Sequence, residues 1–382
     1  MSLSTTPTPS HQLNKLFYID NIKILLTVLV VLHHTFIAYS SSTGWYYTQK
    51  TTHVGALVPM TMFVSINQSF FMGFFFLLSA YFTAPSYDRK GSGQFIIDRL
   101  LRLGIPLLFY SFVFSPFISY LVYYFAKGHH ITYLQYLSGY NTWIDFGVLW
   151  FVAALLIFTL IYLAGRSLIN ITFKKPLPAP GPVTILLFGV SLGVISFLTR
   201  ILFPGGWVLK PLGFQLGHFP QYIALFIIGL LACRNKWFDG LSRRTGKCLK
   251  WSAWLCLLFF PVFFIIRIKL NMPVSWYTGG FHWQSLLYAV WEQWIGMSIL
   301  TAMLSWAKES WNTSSPLLNG LSRCSFAVYI FHPLVIVSLT LEVRNWAVDP
   351  SIKLLLVAPL ALLGSFMLGK FILLIPGVKR II

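Results

Sequence analysis

The sequence predicts an all-α, polytopic membrane protein: a bundle of about ten transmembrane helices with both termini on the cytoplasmic side. Three observations carry this reading. Of 382 residues, 57% are hydrophobic and 18% aromatic, and only 10% are Asp, Glu, Lys or Arg, whereas soluble domains carry about 25% charged residues. The mean hydropathy of +0.72 excludes an ordinary soluble fold and, more firmly, a disordered chain. The apolar residues fall in long runs without the alternation of barrel strands, and a backbone that must satisfy itself in lipid then forms helices.

The first fifteen residues, MSLSTTPTPSHQLNK, are polar and read as a flexible cytoplasmic segment ahead of a membrane domain over 16–382. No small-residue cleavage site follows the first apolar run, so that run is expected to stay as an anchor. At roughly 20 apolar residues per crossing, spans are predicted near 18–40, 57–83, 98–126, 143–165, 182–202, 218–233, 250–270, 284–307, 317–341 and 352–375. The joints between them are too short for a soluble domain. KKPLPAPGP (174–182) reads as a plain Pro-rich linker, and no repeat relates the halves.

Orientation follows from the cations. With the N-terminus inside, eighteen Lys and Arg fall in inner segments, among them Arg99 and Arg102, and eight in outer ones, including Lys127, Arg200 and Lys353; Lys23 and Lys370 lie within helices. The net charge of +19 is thus mostly topological. A nucleic-acid site needs its bases clustered on a soluble face, and these cations sit in short gaps between apolar runs, so nucleic acid is excluded. Cys233, Cys248, Cys256 and Cys324 show no metal-ligand spacing and read as small packing residues.

Ionisable groups inside a span cost about 2.5–3.5 kcal/mol each on insertion scales, so each needs a reason. In the first helix Lys23 and His34 are eleven steps apart, three turns plus roughly 20°. That spacing puts them on one face about 16 Å apart, while His33 points elsewhere. Asp20 is placed to pair with Lys23 across one turn. The bland reading is a snorkelling Lys and a histidine bonded to a neighbouring helix. The functional one is a base within the membrane and a cation that meets an anionic ligand from the cytoplasm.

The third helix opens DRLLRLGIP (98–106), with Arg99 and Arg102 a turn apart and Asp98 spaced for an i,i+4 pair with Arg102. These are ordinary inner-edge anchors that would also suit phosphate groups. Glu292 is the only carboxylate deep in a predicted span, and needs a cation, a histidine or a proton. Its depth resembles that of His34, which makes a pairing of the two a hypothesis. His332 is followed by Pro333, which frees a backbone carbonyl one turn earlier, so a kink partner is its plainer role. The aromatic segment NMPVSWYTGGFHW (271–283) reads as an interfacial belt.

Together these segments resemble the membrane acyltransferase family 3 along nearly the whole chain. The family's basic residue, ten residues, then His is matched by Lys23 to His34, with Lys where Arg is common. FFFLLSAYF (74–82), which contains Ser79, is similar to its FFxLSG block, with Ala80 replacing the usual Gly. DRLLRLGIP resembles its paired-arginine motif, GVLWFVAALL (147–156) with Trp150 its LWF segment, and SFAVYIFHP (325–333) with Tyr329 and His332 its Y-x-x-H-P segment. Within the family the chain looks closest to the branch of glucan-biosynthesis C proteins, associated with succinylation of periplasmic glucans.

The resemblance implies a bacterial plasma-membrane O-acyltransferase that moves an acyl group from cytoplasmic acyl-CoA, acetyl-CoA or succinyl-CoA, to a hydroxyl of a carbohydrate. No metal is implied. Arg99, Arg102 and Lys23 would then hold the donor's anionic part. Neutral His34, with an ordinary pKa near 6.5, would remove the acceptor's proton, and Glu292 would orient the imidazole or bind the acceptor. Direct transfer and a two-step route through acyl-His both fit the residues. The rival readings are a transporter or flippase for a sugar or lipid, using the same charges as a relay, and a structural membrane protein; neither accounts for the five motifs in order.

Overall fold

A computed structural model describes residues 16–40, 44–168 and 175–382; the expected flexible segment 1–15 lies outside them. The described residues form helices and no strands. Ten long helices run in chain order: α1 (Phe17–Ser40), α2 (Val54–Tyr81), α3 (Thr83–Phe125), α4 (Gly147–Arg166), α5 (Pro182–Leu202), α6 (Leu216–Arg234), α7 (Arg243–Lys269), α8 (Trp283–Ser310), α9 (Pro316–Glu342) and α10 (Pro350–Ile372).

Nine of these, among the described residues, are long and apolar enough to cross a bilayer. The exception is α8, which at 28 residues is about 42 Å long but buries Gln284, Ser285, Glu292, Gln293, Ser298, Thr301 and Ser305. Polar groups at membrane depth need protein partners, and α8 supplies them by packing against α5 and α7. The lipid-facing surface is apolar, as on α7, where Trp251, Trp254, Leu255, Leu258 and Phe259 are exposed.

Helix ends follow local chemistry. Ser315 Oγ accepts from the Leu318 amide (3.1 Å) ahead of Pro316 at the first turn of α9. Asp349 caps α10 before Pro350, accepting from the Ser351 amide and from Thr51 Oγ1, both at 2.8 Å. These bonds to the ionised carboxylate hold Asp349 below its ordinary pKa.

Two helices depart from the expected spans. The chain from 84 to 97, expected as a polar joint, is helical and belongs to α3. It bends at Gly91, whose φ of 73° only glycine adopts freely, and a π-helical turn follows at Leu100–Gly104. The expected Asp98–Arg102 pair does not form: across this bend Asp98 instead takes Lys90 and Gln94. The second irregularity is in α2, which breaks between Gln68 and Phe71. The carbonyl of Ser69 there accepts from Gln221 Nε2 of α6 at 2.6 Å, so the broken backbone is satisfied by protein.

The core joins α1 to α9 and α10, and the second half of α2 to α6. Gly229 of α6 lies so close to the SAYF block that a Cβ would collide with the Leu77 carbonyl and meet Ala80 Cβ at 2.7 Å. Small residues at such crossings let helices approach in a membrane. Cys324 is buried, Cys233 and Cys256 half-buried and Cys248 exposed; none is disulfide-bonded.

Candidate functional site

His34 and His332, 298 positions apart in the chain, meet where α1 packs on α9. His34 Nδ1 lies 2.9 Å from His332 Nε2. The proton positions follow from the backbone. Pro333 has no N–H, so the Tyr329 carbonyl loses its ordinary helical donor, and His332 Nδ1 donates to it at 2.9 Å, with Val328 O at 3.3 Å. With Nδ1–H committed, neutral His332 can only accept at Nε2. His34 therefore donates from Nδ1, and its Nε2 carries the free lone pair. Trp45 stacks on His34 at 4.4 Å between centroids and 19° between planes, fixing the ring. His332 is fully buried and His34 half-buried; buried His33 packs on Phe71 instead.

The same stretch of α9 meets the start of α4. Tyr329 OH donates to the Val148 carbonyl, and Trp150, two residues on, packs against Tyr222 of α6 at 5.4 Å. Ser79 contributes its carbonyl, which accepts from Thr83 Oγ1 at 2.9 Å.

Glu292 has a different partner from the expected one. It is 1% exposed, as is Arg200, and Arg200 Nη2 donates to its Oε2 at 2.5 Å. Arg200 Nη2 also lies 3.1 Å from His218 Nδ1, and its Nε donates to Gly217 O at 3.2 Å. Glu292 thus neutralises a buried guanidinium, the arrangement a carboxylate at membrane depth requires, and its partners among the described residues are Arg200, His218 and Gln293 rather than His34. Arg200 is not the outer loop cation that its position near the end of α5 suggests. Nor is Lys353, 4% exposed, whose ammonium is held by Gln49 Oε1 and Arg344 O. A polar layer continues from Glu292 through Gln293 to Gln221, whose Nε2 donates to Gln293 Oε1 at 2.9 Å.

At the other end of α1, Lys23 pairs with Asp20 at 3.6 Å and sits over the Phe82 ring at the α2–α3 junction, 4.9 Å from its centroid. Arg99 stacks on Phe95 at 5.0 Å and Arg102 is exposed. Neither arginine has a carboxylate partner among the described ion pairs. Lys23 thus lies three helical turns along α1 from His34, and the two arginines lie on α3 just after its bend.

The family model of the acyltransferase 3 domain matches residues 16–370. The chain belongs to this acyltransferase family. The matched region contains both histidines, the buried ion pair and the three cations. Glucans biosynthesis protein C of Escherichia coli O1:K1 / APEC is 24% identical over 334 residues, 84% of this chain and 82% of that protein. The protein of the same name from Salmonella heidelberg (strain SL476) is 24% identical over 348 residues, 87% and 84% of the two chains. No solved structure matches. This acyltransferase is therefore a multi-pass membrane enzyme.

Sequence reading missed Trp45, Arg200 and His218. Trp45 lies beyond the apolar run of α1. Arg200 and His218 each sit near a helix end, where a cation or histidine ordinarily meets water.

Proposed function

We propose that this acyltransferase moves an acyl group, acetyl or succinyl, from acyl-CoA to a hydroxyl of a carbohydrate such as a periplasmic or cell-surface glucan. His34 is its general base. The observation that carries the reading is the chain from the Tyr329 carbonyl through His332 to His34 Nδ1, which leaves Nε2 as the basic nitrogen of a neutral His34 ring. A neutral imidazole with one nitrogen anchored and the other basic is the arrangement general-base catalysis needs.

In the proposed step His34 Nε2 takes the acceptor's hydroxyl proton as the oxygen attacks the thioester carbonyl. The C–S bond breaks, and the sulfur leaves as the thiol once it receives that proton. His332 accepts from Nδ1 throughout and stabilises the imidazolium that forms on His34. His332 and Tyr329 are positioning residues in this scheme. Lys23, Arg99 and Arg102 hold the donor's phosphates on the cytoplasmic side, with the N-terminus inside, and guanidinium suits phosphate through paired hydrogen bonds. Glu292 holds Arg200 beside the polar layer of Gln293 and Gln221. The name of the Escherichia coli and Salmonella relatives supports a glucan as acceptor.

The test is acyl transfer by the purified protein supplied with acetyl-CoA or succinyl-CoA and a glucan, read as free CoA thiol. Acceptor-dependent thiol release that vanishes in His34→Ala is expected. Full activity in His34→Ala overturns the assignment.

A further inference from the structure

The connection from α3 to α4 holds a feature that the acyl-transfer chemistry does not use. Its sequence, KGHHITYLQYLSGYNTWIDF (127–146), is rich in tyrosine and folds into a built structure. A short helix, Tyr133–Ser138, is held by a capping box between Thr132 and Gln135. Asp145 fastens the far end, accepting from Ser115 Oγ at 2.5 Å and from the Gly147 amide at 2.9 Å. Tyr120 OH donates to Ile131 O at 3.0 Å.

Between this loop and the end of α3 lies an open cleft of about 300 Å³, lined by Tyr46, Tyr123, Tyr136, Tyr140, Lys127 and Asp145, with Thr142 at its rim. The four tyrosines are half-buried, so each leaves part of its ring surface for a ligand. Tyr136 meets Tyr123 at 5.2 Å and Tyr140 at 5.7 Å, forming a continuous aromatic wall. Interfacial-belt aromatics project outward to headgroups; these line a concavity with a cation and a carboxylate. One Lys beside one Asp leaves the cleft nearly neutral, unsuited to a polyphosphate donor. A hexose, with apolar C–H faces and a rim of hydroxyls, matches both the rings and the polar groups. Burial pushes the phenols of Tyr136 and Tyr140 above their ordinary pKa, so they remain hydrogen-bond donors at neutral pH.

The wall of the cleft packs, ring on ring, toward the histidine pair. Tyr46 lines it, its OH lies 2.7 Å from Tyr110 OH, and its ring meets Trp45 edge-on at 5.3 Å. Trp45 is the residue stacked on His34.

We propose that this cleft is a carbohydrate-binding subsite that holds glucose units of the acceptor chain beside the unit delivered to His34. The subsite's role in acceptor delivery rests on the acyl-transfer reading of His34, but its binding does not, and the test uses no acyl donor. Protein in lipid nanodiscs, which avoid detergents with sugar headgroups, is titrated with linear glucose hexasaccharides, one α-linked and one β-linked. Saturable binding is expected, weakened about tenfold or more in Tyr140→Ala, which removes a stacking ring. Thr142→Trp, which fills the cleft from an exposed position, is expected to weaken it as much. Each variant's thermal unfolding is measured alongside. If Tyr140→Ala unfolds, Thr142→Trp decides the matter. Absence of hexasaccharide binding to the wild type, or unchanged affinity in folded Thr142→Trp, overturns the proposal. A failure of acyl transfer with binding intact would instead overturn the reading of His34 alone.

Discussion

Replacing His332 by alanine separates a positioning residue from a base. The 2.9 Å bond from His34 Nδ1 to His332 Nε2 joins a half-buried ring to a fully buried one. His332→Ala leaves the His34 Nδ1–H without its acceptor. An unsatisfied buried donor costs about 1–3 kcal/mol, which on the transition-state scale is about 5- to 150-fold in kcat/KM. Loss of the base itself, in His34→Ala, costs about 10²–10⁴-fold. Because His332 acts only through His34, the double variant is expected to match His34→Ala, a strongly non-additive cycle. His332→Gln, which places an amide oxygen near the lost Nε2, is expected to recover part of the activity. The assay is acceptor-dependent CoA release in nanodiscs across the four members of the cycle. Full activity in His332→Ala, or losses that multiply in the double variant, would refute the relay.

Other predictions follow from the same geometry. Glu292→Gln leaves the Arg200 guanidinium buried without its charge partner and is expected to cost about 3–5 kcal/mol of stability. Arg200→Met with Glu292→Leu should recover much of that loss, as thermal unfolding would show; a double variant as unstable as the single contradicts the pairing. Arg99→Ala with Arg102→Ala is expected to raise KM for acyl-CoA about tenfold or more, with kcat less affected; an unchanged KM removes them from the donor site. Gly147→Ala should destabilise by about 1–3 kcal/mol, since φ is +43° and a Cβ would meet Tyr110 Cε1 at 2.7 Å. A wild-type melting profile would exclude that strain.

What was legible in the sequence was whatever local pattern determines. Nine spans separate because their apolar runs are long enough to cross a bilayer, and α8 emerged despite its polar residues because those sit on a buried face. The pairing of His34 with His332 was not legible, because nothing local says which distant helix packs on α1; only Pro333 hinted at a freed carbonyl. Glu292 announced its need for a partner without naming it. Arg200 could not be assigned because a cation at the end of α5 reads as an ordinary loop charge until α8 is seen beside it. The Asp98–Arg102 spacing presumed a straight helix, and the Gly91 bend gave the carboxylate to Lys90 instead.

His34 is proposed as the base that removes the sugar hydroxyl's proton during acyl transfer. The most direct measurement is mass spectrometry of the glucan after incubation with succinyl-CoA or acetyl-CoA and either wild-type protein or folded His34→Ala. Acylated glucan is expected from the wild type and none above background from the variant. Equal acylation by the two proteins would contradict it.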